Sequence, residues 1–323
     1  MTSSRFPFTN QLSCHSDCDS SPSYIGRFAP SPSGDLHFGS LVAAIAGYLQ
    51  AKVNKGKWLL RIDDIDPPRQ DASSISKIQK NLEVHGLHWD GEVIYQSQQY
   101  PLYEAVLDWL LERNLGYWCR CTRKQIQAEG GIYLGHCRDL VLPAEGHALR
   151  LRNNAQHCQF QDALMGTVQL PQAVAKEDFI IKRKDGLYAY HLASVVDDLQ
   201  FHVTEVVRGA DLLYPSACQI ALYTALGYTA PKMLHVPVAV FSPGKKLSKQ
   251  GHAKVLEHGR AGTNVYLALA FLGLSVPEQL RYAAPNEQLA WAEQHWHLHR
   301  LSSKQEIEMP NFLQTLNIDN FEY

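Results

Sequence analysis

Residues 24–62 contain the pattern that most restricts how this chain can fold. Residues 24–29 predict a short strand, the turn-rich residues 30–35 end it, and residues 58–62 predict a second strand. Apolar side chains between the strands recur at three- and four-residue spacing, which predicts a helix with one apolar face. These side chains are Phe38, Leu41, Val42, Ile45, Ala46, Leu49 and Val53. The result is a βαβ unit, whose strand ends and helix amino terminus border a nucleotide-binding crevice.

The rest of the chain predicts further helices and strands. Residues 73–85 and 100–115 predict helices that glycines end. Residues 119–186 break the alternation, and their short alternating segments predict β structure. Asn286 is predicted to cap a helix near the carboxyl end. The expected α/β organisation is a disordered tail over 1–23, the first half of a Rossmann-like catalytic domain over 24–118, an insertion over 119–189, the second half over 190–251, and a short helical part over 252–323.

Composition excludes several classes of protein. Hydrophobic residues make up 45% of the 323 positions and charged residues 19%, which excludes disorder throughout the chain. The longest uncharged apolar stretches, near residues 41–49 and 265–274, are shorter than the roughly 18 to 20 residues that span a bilayer, so no membrane partner is expected. Residues 1–23 lack the apolar core of a signal peptide, and we expect a cytoplasmic protein. Because the net charge is −2, a nucleic acid would have to bind a local basic patch.

Two segments carry groups suited to phosphate chemistry. His37, Gly39 and Ser40 stand where the first predicted helix begins, and the unpaired N–H groups of a helix amino terminus attract phosphate. Far downstream, residues 245–250 read K-K-L-S-K-Q, a cationic loop suited to stabilising charge on a transferring phosphoryl group. Taken singly, the first segment also fits a capped helix and the second a solvated lysine turn. Their occurrence together favours nucleotide chemistry.

These two segments, in this order, resemble the signature motifs of class I aminoacyl-tRNA synthetases. Over residues 24–251 the motifs R-F-A-P-S-P-S-G, L-R-I-D-D-I-D-P-P-R, G-L-H-W-D-G, Y-H-L-A-S-V-V-D-D, V-V-R-G-A-D and K-L-S-K-Q are similar to the glutamyl branch. The resemblance implies that ATP with Mg²⁺ is a substrate and that both segments contact it. The implied ATP-binding residues are His37, Gly39, Ser40 and Lys249, and the implied catalytic residues are His37, Lys249 and Lys246.

A glutamate substrate makes chemical demands that this sequence can meet. Its two carboxylates require cations and its ammonium requires an anion, and Arg27, Arg208 and Asp63 could supply these charges. The resemblance implies that Arg27 and Tyr190 contact the side-chain carboxylate, Arg208 the α-carboxylate, and Ser31 with Asp63 the ammonium. Relatives usually carry Glu at the position of Asp63. The shorter Asp63 would therefore act through water or share its role with Asp64.

Three differences from the wider branch point to a compact subfamily. The chain has H-F-G-S where the branch has H-x-G-H, R-G-A-D where it has R-G-E-D, and only 73 residues after Gln250. In these respects it resembles the glutamyl-Q tRNA(Asp) synthetases. The resemblance implies tRNA-independent activation of glutamate and its attachment to the queuosine base at the wobble position of tRNA(Asp). No anticodon-binding domain is expected, so the catalytic crevice would receive the anticodon loop, and a monomer is expected.

Three clustered cysteines predict a metal site. Cys119, Cys121 and Cys137 offer three thiolates, which suit tetrahedral zinc in a cytosolic protein. The resemblance implies Tyr133 as the fourth ligand. Ligand chemistry alone favours His136, although adjacent residues seldom both reach one metal. We expect one structural zinc ion per chain, and three free thiols are the alternative.

Three other functions are compatible with parts of this pattern. A compact glutamyl-tRNA synthetase would charge a tRNA 3′ end, and the acceptor nucleotide distinguishes it. A metabolic nucleotidylyltransferase shares the histidine motif and would transfer to a small acceptor without RNA. A non-catalytic RNA-binding module would lack glutamate-dependent exchange between ATP and pyrophosphate.

Overall fold

The computed structural model describes residues 5–8, 23–246 and 255–316. Its helices are α1 (Phe38–Val53), α2 (Ser73–Val84), α3 (Tyr100–Glu112), α4 (Arg123–Ala128), α5 (Gln172–Ala175), α6 (Tyr190–Gln200), α7 (Leu213–Ala225), α8 (Ala261–Phe271), α9 (Pro285–His295) and α10 (Met309–Thr315). Its strands are β1 (Ile25–Phe28), β2 (Lys57–Ile62), β3 (Ile94–Tyr95), β4 (Gly116–Cys119), β5 (Ala148–Leu151), β6 (Gln159–Asp162), β7 (Gly166–Gln169), β8 (Ile180–Lys182), β9 (Glu205–Gly209), β10 (Lys232–Val236), β11 (Val238–Ser242), β12 (Lys245–Lys246) and β13 (Glu306–Glu308). Over these described ranges, no helix has the length and apolar character needed to cross a bilayer.

Parallel strands from the two halves of the sequence meet at the centre of the molecule. Strand β2 pairs in parallel with β1 and with β3, and β9 pairs in parallel with β10. The two sets meet at Ile25, whose carbonyl accepts from the N–H of Thr204 at 2.8 Å and whose N–H donates to the Thr204 hydroxyl at 2.9 Å. Helix α1 packs on both β1 and β9. The predicted βαβ unit and α/β class are therefore confirmed.

The apolar face of helix α1 holds the βαβ unit together. Its predicted apolar face is buried, and it packs with Trp58 of β2 and with helix α8 in one core. His37 is the residue before the helix, and its Nδ1 accepts from the N–H of Ser40 at 3.3 Å. His37 thus caps the helix, which local sequence did not indicate. The helix amino terminus lies at the crevice beyond β1.

The interrupting segment, residues 119–186, contributes strands to two different sheets. Strands β4, β5 and β8 make a separate antiparallel sheet. Strand β6 instead joins the central strands, because Asp162 lies opposite Met233 in a parallel pairing with β10, and β7 folds back on β6. The β character of this segment is confirmed. One of its strands, β6, thereby extends the sheet that contains β9 and β10.

The carboxyl-terminal part is mostly helical, as predicted, and contains one short strand, β13, which pairs in parallel with β11 between helices α9 and α10. The cap predicted at Asn286 is wrong, since α9 begins at Pro285 and Ala284 occupies the capping position. Proline favours this first helical position because its ring fixes a helical φ and its missing N–H would have no partner there. Asn286 consequently lies inside the first turn.

The predicted loose tail contains an ordered segment. Phe6 is buried against Trp109, its N–H donates to the carbonyl of Leu226 at 3.2 Å, and its carbonyl accepts from the hydroxyl of Tyr228 at 2.7 Å. The prediction of a disordered tail is therefore wrong for residues 5–8. The other residues of 1–22 lie outside the described part of the chain.

Candidate active site

A cavity of about 640 Å³ lies beyond the carboxyl ends of β1 and β9 and the start of α1. This is the edge of a parallel sheet where nucleotide-binding folds place their ligands. Eight of the residues selected from the sequence line it. They are Arg27, Ser31, His37, Gly39, Ser40, Tyr190, Arg208 and Lys246.

Two further residues selected from the sequence are placed differently. Asp63 lines a neighbouring cavity of about 630 Å³, which shares Ser31, Arg69 and Tyr190 with the first one. Asp64 turns the other way, and its carboxylate accepts from the backbone N–H and hydroxyl of Ser97 at 2.8 and 2.6 Å. Of the two neighbouring aspartates, Asp63 is thus the one at the cavity wall.

The downstream loop is described only at its edges. Lys246 lines the first cavity and forms an ion pair with Asp211. Lys249 lies outside the described residues, so its predicted role remains a prediction. Val255 follows this gap and forms a β-bridge with His37. One described end of the loop thus lines the cavity, and the other pairs with the residue that precedes α1.

A buried cluster of charges forms the wall below the cavity. Arg27 donates through Nε and Nη2 to the two oxygens of Asp198 at 3.0 and 3.2 Å. Arg61 donates to Asp198 at 2.6 Å and to Asp63 at 2.7 Å, and lies 3.6 Å from Asp197. All five side chains are nearly inaccessible to solvent. The cluster connects β1, β2 and α6.

The charges of this cluster nearly balance. Burial would raise the pKa of Asp198, but Arg27 and Arg61 hold it below its ordinary value. Burial raises the pKa of Asp197 to about 7 in spite of Arg61, and Asp197 accepts from Gln96 at 2.8 Å. Burial also raises the pKa of Asp63, although Arg61 and Arg27 oppose the shift, so two guanidinium groups face three carboxyl groups of which two have raised pKa values.

Arg208 stands apart from this cluster because its partners are neutral. Its Nε donates to Nε2 of His235 at 3.2 Å, its Nη2 to the hydroxyl of Ser216 at 2.6 Å, and its Nη1 to the hydroxyl of Tyr190 at 3.1 Å. No ion pair joins Arg208 to an acidic residue in the part of the chain that the structure describes. The cavity wall therefore carries one buried cation with no counterion on that part of the chain, which suits an anionic ligand.

Sequence reasoning missed several residues that organise this wall. Arg61 and Asp198 belong to the quoted motifs but received no role, because nothing local indicates that they meet. His235 gave a weaker signal, as a histidine within the apolar strand β10. Asp162, which contacts His235, lies more than seventy positions away in the interrupting segment, and no local pattern could connect them.

A cluster of thiols lies at the separate antiparallel sheet. The sulfur atoms of Cys119, Cys121 and Cys137 lie within 4.8 Å of one another, which is close enough for one metal ion. The hydroxyl of Tyr133 accepts from the backbone N–H of Cys137 at 2.8 Å, and Tyr133 packs in one buried cluster with Cys119 and Cys137. His136 is about half exposed and contacts Glu129 at 2.7 Å instead. Tyr133 thus lies at the cluster, and His136 points away from it.

Comparison with known proteins agrees with this arrangement. The profile described as "tRNA synthetases class I (E and Q), catalytic domain" matches residues 25–274. A glutamyl-Q tRNA(Asp) synthetase of Yersinia pseudotuberculosis is 52% identical over 275 residues, which is 85% of this chain and 83% of that protein. The protein of the same name from Serratia proteamaculans is 50% identical over 286 residues, 88% of this chain and 94% of that one.

Solved structures resemble the fold at much lower identity. A glutamate tRNA ligase from Elizabethkingia meningosepticum, in complex with its amino acid, has a TM-score of 0.73 at 22% identity and covers 91% of this chain and 69% of its own. A glutamate-tRNA synthetase from Elizabethkingia anophelis has a TM-score of 0.74 at 21% identity and covers 93% and 76%. At this identity the likeness establishes a shared fold.

The buried cluster generates a prediction about stability. Replacing Asp198 with Asn leaves two buried guanidinium groups without their shared carboxylate, which should lower the free energy of unfolding by about 3 to 5 kcal/mol at pH 7.5. Because folding lowers the pKa of Asp198, its contribution is present above the ordinary carboxyl pKa and is lost as pH falls through the folded value. Urea unfolding at pH 7.5, and over a pH series that extends below the ordinary carboxyl pKa, measures both effects.

The matched control is an exposed ion pair on the same chain. Asp185 lies 2.6 Å from Arg183, and the two side chains are 47% and 40% exposed. Asp185→Asn should cost less than about 1 kcal/mol, because solvent screens such pairs. Equal costs for the two variants would contradict the structural importance of the buried cluster.

Proposed function

Since this chain belongs to the class I tRNA synthetases, and within them to the glutamyl-Q tRNA(Asp) synthetases, we propose that it activates glutamate with ATP and transfers it to the queuosine base of tRNA(Asp). The enzyme is an ATP-dependent ligase. The structural observation that supports the proposal is the single cavity that joins the amino terminus of α1 to the uncompensated cation Arg208. One end suits phosphate and the other suits a substrate carboxylate.

In the first step a glutamate carboxylate oxygen attacks the α-phosphorus of MgATP, giving glutamyl-adenylate and pyrophosphate. Backbone N–H groups at the start of α1 bind phosphate oxygens, and the cavity lies against Gly39, where no side chain stands in the way. His37 and Lys249 stabilise the charge that grows on the phosphates, and Lys246 assists. To contact the phosphates, Lys246 would have to break its ion pair with Asp211.

Glutamate binds at the opposite end of the cavity. Arg208 contacts the α-carboxylate, and Tyr190 with Arg27 contacts the side-chain carboxylate. Because Nε and Nη2 of Arg27 are bound to Asp198, its Nη1 faces the substrate. Ser31, which lines both cavities, and Asp63, which lines the second, contact the ammonium group.

In the second step a hydroxyl of the queuosine cyclopentenediol attacks the carbonyl carbon of the adenylate and releases AMP. The adenylate is a reactive acyl donor, and correct positioning of the hydroxyl supplies much of the catalysis. We place the reaction in the cytoplasm, where ATP and tRNA are available. We propose that the protein acts as a monomer.

Labelled glutamate tests this function directly. The protein is incubated with ATP, radioactive glutamate and tRNA(Asp) that carries either queuosine or guanosine at the wobble position. We expect label only on the queuosine-containing tRNA and, after ribonuclease digestion, only in the anticodon-loop fragment. Exchange of pyrophosphate into ATP should require glutamate and no tRNA.

Two results would contradict the proposal. Label on the 3′ terminal nucleoside would identify a compact glutamyl-tRNA synthetase. A complete lack of glutamate-dependent exchange would exclude an activating enzyme and favour an RNA-binding module.

The thiol cluster is proposed to hold one structural zinc ion. Three thiolates and the Tyr133 phenolate would fill a tetrahedral shell and leave no open position for a substrate. The metal would fix the turn between β4 and the residues near Cys137. The crevice chemistry does not depend on it directly.

Metal analysis tests this assignment. Protein purified without chelator should contain about one zinc ion per chain, and Tyr133→Phe should lose it faster to a competing chelator than the parent. The matched variant His136→Ala should retain zinc like the parent, because His136 points toward Glu129. Negligible zinc in the parent, or the opposite order of the two variants, would overturn the assignment.

A further inference from the structure

Two buried arginines line the first cavity within the described residues, and of these Arg208 is the one without a carboxylate partner. Arg27 and Arg61 are held by aspartates, whereas Arg208 donates to His235, Ser216 and Tyr190. A buried cation without a counterion is costly, so its position depends on the neutral acceptors around it. The protonation of those acceptors therefore decides how Arg208 is held.

His235 is held in one tautomer by Asp162. The carboxylate of Asp162 lies 2.6 Å from Nδ1 of His235 and also accepts from the backbone N–H groups of Leu164 at 3.0 Å and Met165 at 2.8 Å. Burial would raise the pKa of Asp162, but these bonds hold it below its ordinary value. The carboxylate has no proton to give, so Nδ1 of His235 must carry the proton that they share.

The other ring nitrogen is consequently an acceptor. Burial lowers the pKa of His235 although Asp162 opposes the shift, so the ring carries only the Nδ1 proton. Its Nε2 lone pair faces the Ser216 hydroxyl at 2.7 Å and Nε of Arg208 at 3.2 Å, and the same hydroxyl accepts from Nη2 of Arg208 at 2.6 Å. His235 thus contacts Arg208 both directly and through Ser216. The charged side chains that face His235 are Asp162 and Arg208, and its other contacts, Ser216 and Phe160, are neutral.

We propose that Asp162 and His235 act as a positioning pair, which holds the Arg208 guanidinium toward a substrate carboxylate without neutralising its charge. A carboxylate placed directly against Arg208 would fix its position equally well but would compete with the substrate. A neutral imidazole fixes the position and leaves the charge available. The inference rests on the proposed function for the identity of the carboxylate, which is that of glutamate.

The proposal also gives the interrupting segment a second role. Asp162 ends β6, the strand by which this segment joins the central sheet beside β10. The carboxylate then satisfies the backbone N–H groups of the turn into β7 and of His235. The same segment that carries the thiol cluster thus helps to organise the substrate site.

Steady-state kinetics test the pair in the full-length protein. We measure glutamate-dependent exchange between ATP and pyrophosphate for the parent, His235→Leu and His235→Gln. His235→Leu removes the acceptor and should raise the KM for glutamate about tenfold or more, while the KM for ATP stays unchanged. The amide oxygen of His235→Gln can accept from Arg208 and should recover most of the loss.

A matched control separates positioning from general destabilisation. His85 is also fully buried and hydrogen-bonded, to Asn81 and Asn264, but lies outside both cavities. His85→Leu should lower stability and leave the KM for glutamate unchanged. The proposal is overturned if folded His235→Leu keeps the parental KM for glutamate, or if His235→Gln is impaired as severely as His235→Leu.

The tautomer can be measured without any activity. Nitrogen-15 correlation spectra of the parent, with His235 assigned by its absence from the His235→Gln spectrum, should place the ring proton on Nδ1. A proton on Nε2, or a doubly protonated ring at pH 7.5, would overturn the proposal even if His235→Leu fails to fold. If the parent lacks glutamate-dependent exchange, the proposed function fails, whereas the spectra still decide whether the pair exists.

Discussion

The ion cluster of Arg27, Arg61 and Asp198 is the interaction on which the rest of this structure depends. Burying two guanidinium groups is costly unless each donor meets a well-placed acceptor, so the geometry of the cluster allows little variation. Arg27 belongs to β1, Arg61 to β2 and Asp198 to α6, and these elements come from both halves of the sequence. The pairing therefore fixes how the halves meet, together with the hydrogen bonds between Ile25 and Thr204.

The charged side chains at the cavity are of two kinds. Those in the cluster are matched by partners and shape the wall. Arg208, held by neutral groups, keeps a charge that a substrate can use. Preorganisation of this type lowers the cost of binding, because the protein orders the cation before the ligand arrives. It also explains why the wall contains several arginines without a large net charge.

The parts of the fold that depend on local patterns were predictable from the sequence. The spacing of apolar residues located α1 and its flanking strands, and polar loop residues marked the phosphate end of the crevice. The resemblance to a family then selected eight of the residues that line the cavity. Each of these inferences uses neighbouring residues or a contiguous motif.

The remaining features depend on contacts between distant segments. Phe6 is buried because Trp109 and Leu226 come together in three dimensions, although residues 1–23 as a whole are polar and Ser-rich. The choice between Asp63 and Asp64 follows from Ser97, which binds Asp64 after a separation of thirty-three residues. The pair of Asp162 and His235 likewise forms only when β6 reaches β10. No window along the sequence contains these contacts.

A crystal structure of the protein with bound glutamate would test the central claim most directly. If the wall is preorganised, the substrate carboxylates will contact Arg208 and Nη1 of Arg27, while Arg27 stays on Asp198 and Arg208 stays on His235 and Ser216. The account is contradicted if glutamate binds only after Arg27 leaves Asp198, or if Arg208 makes no contact with a carboxylate.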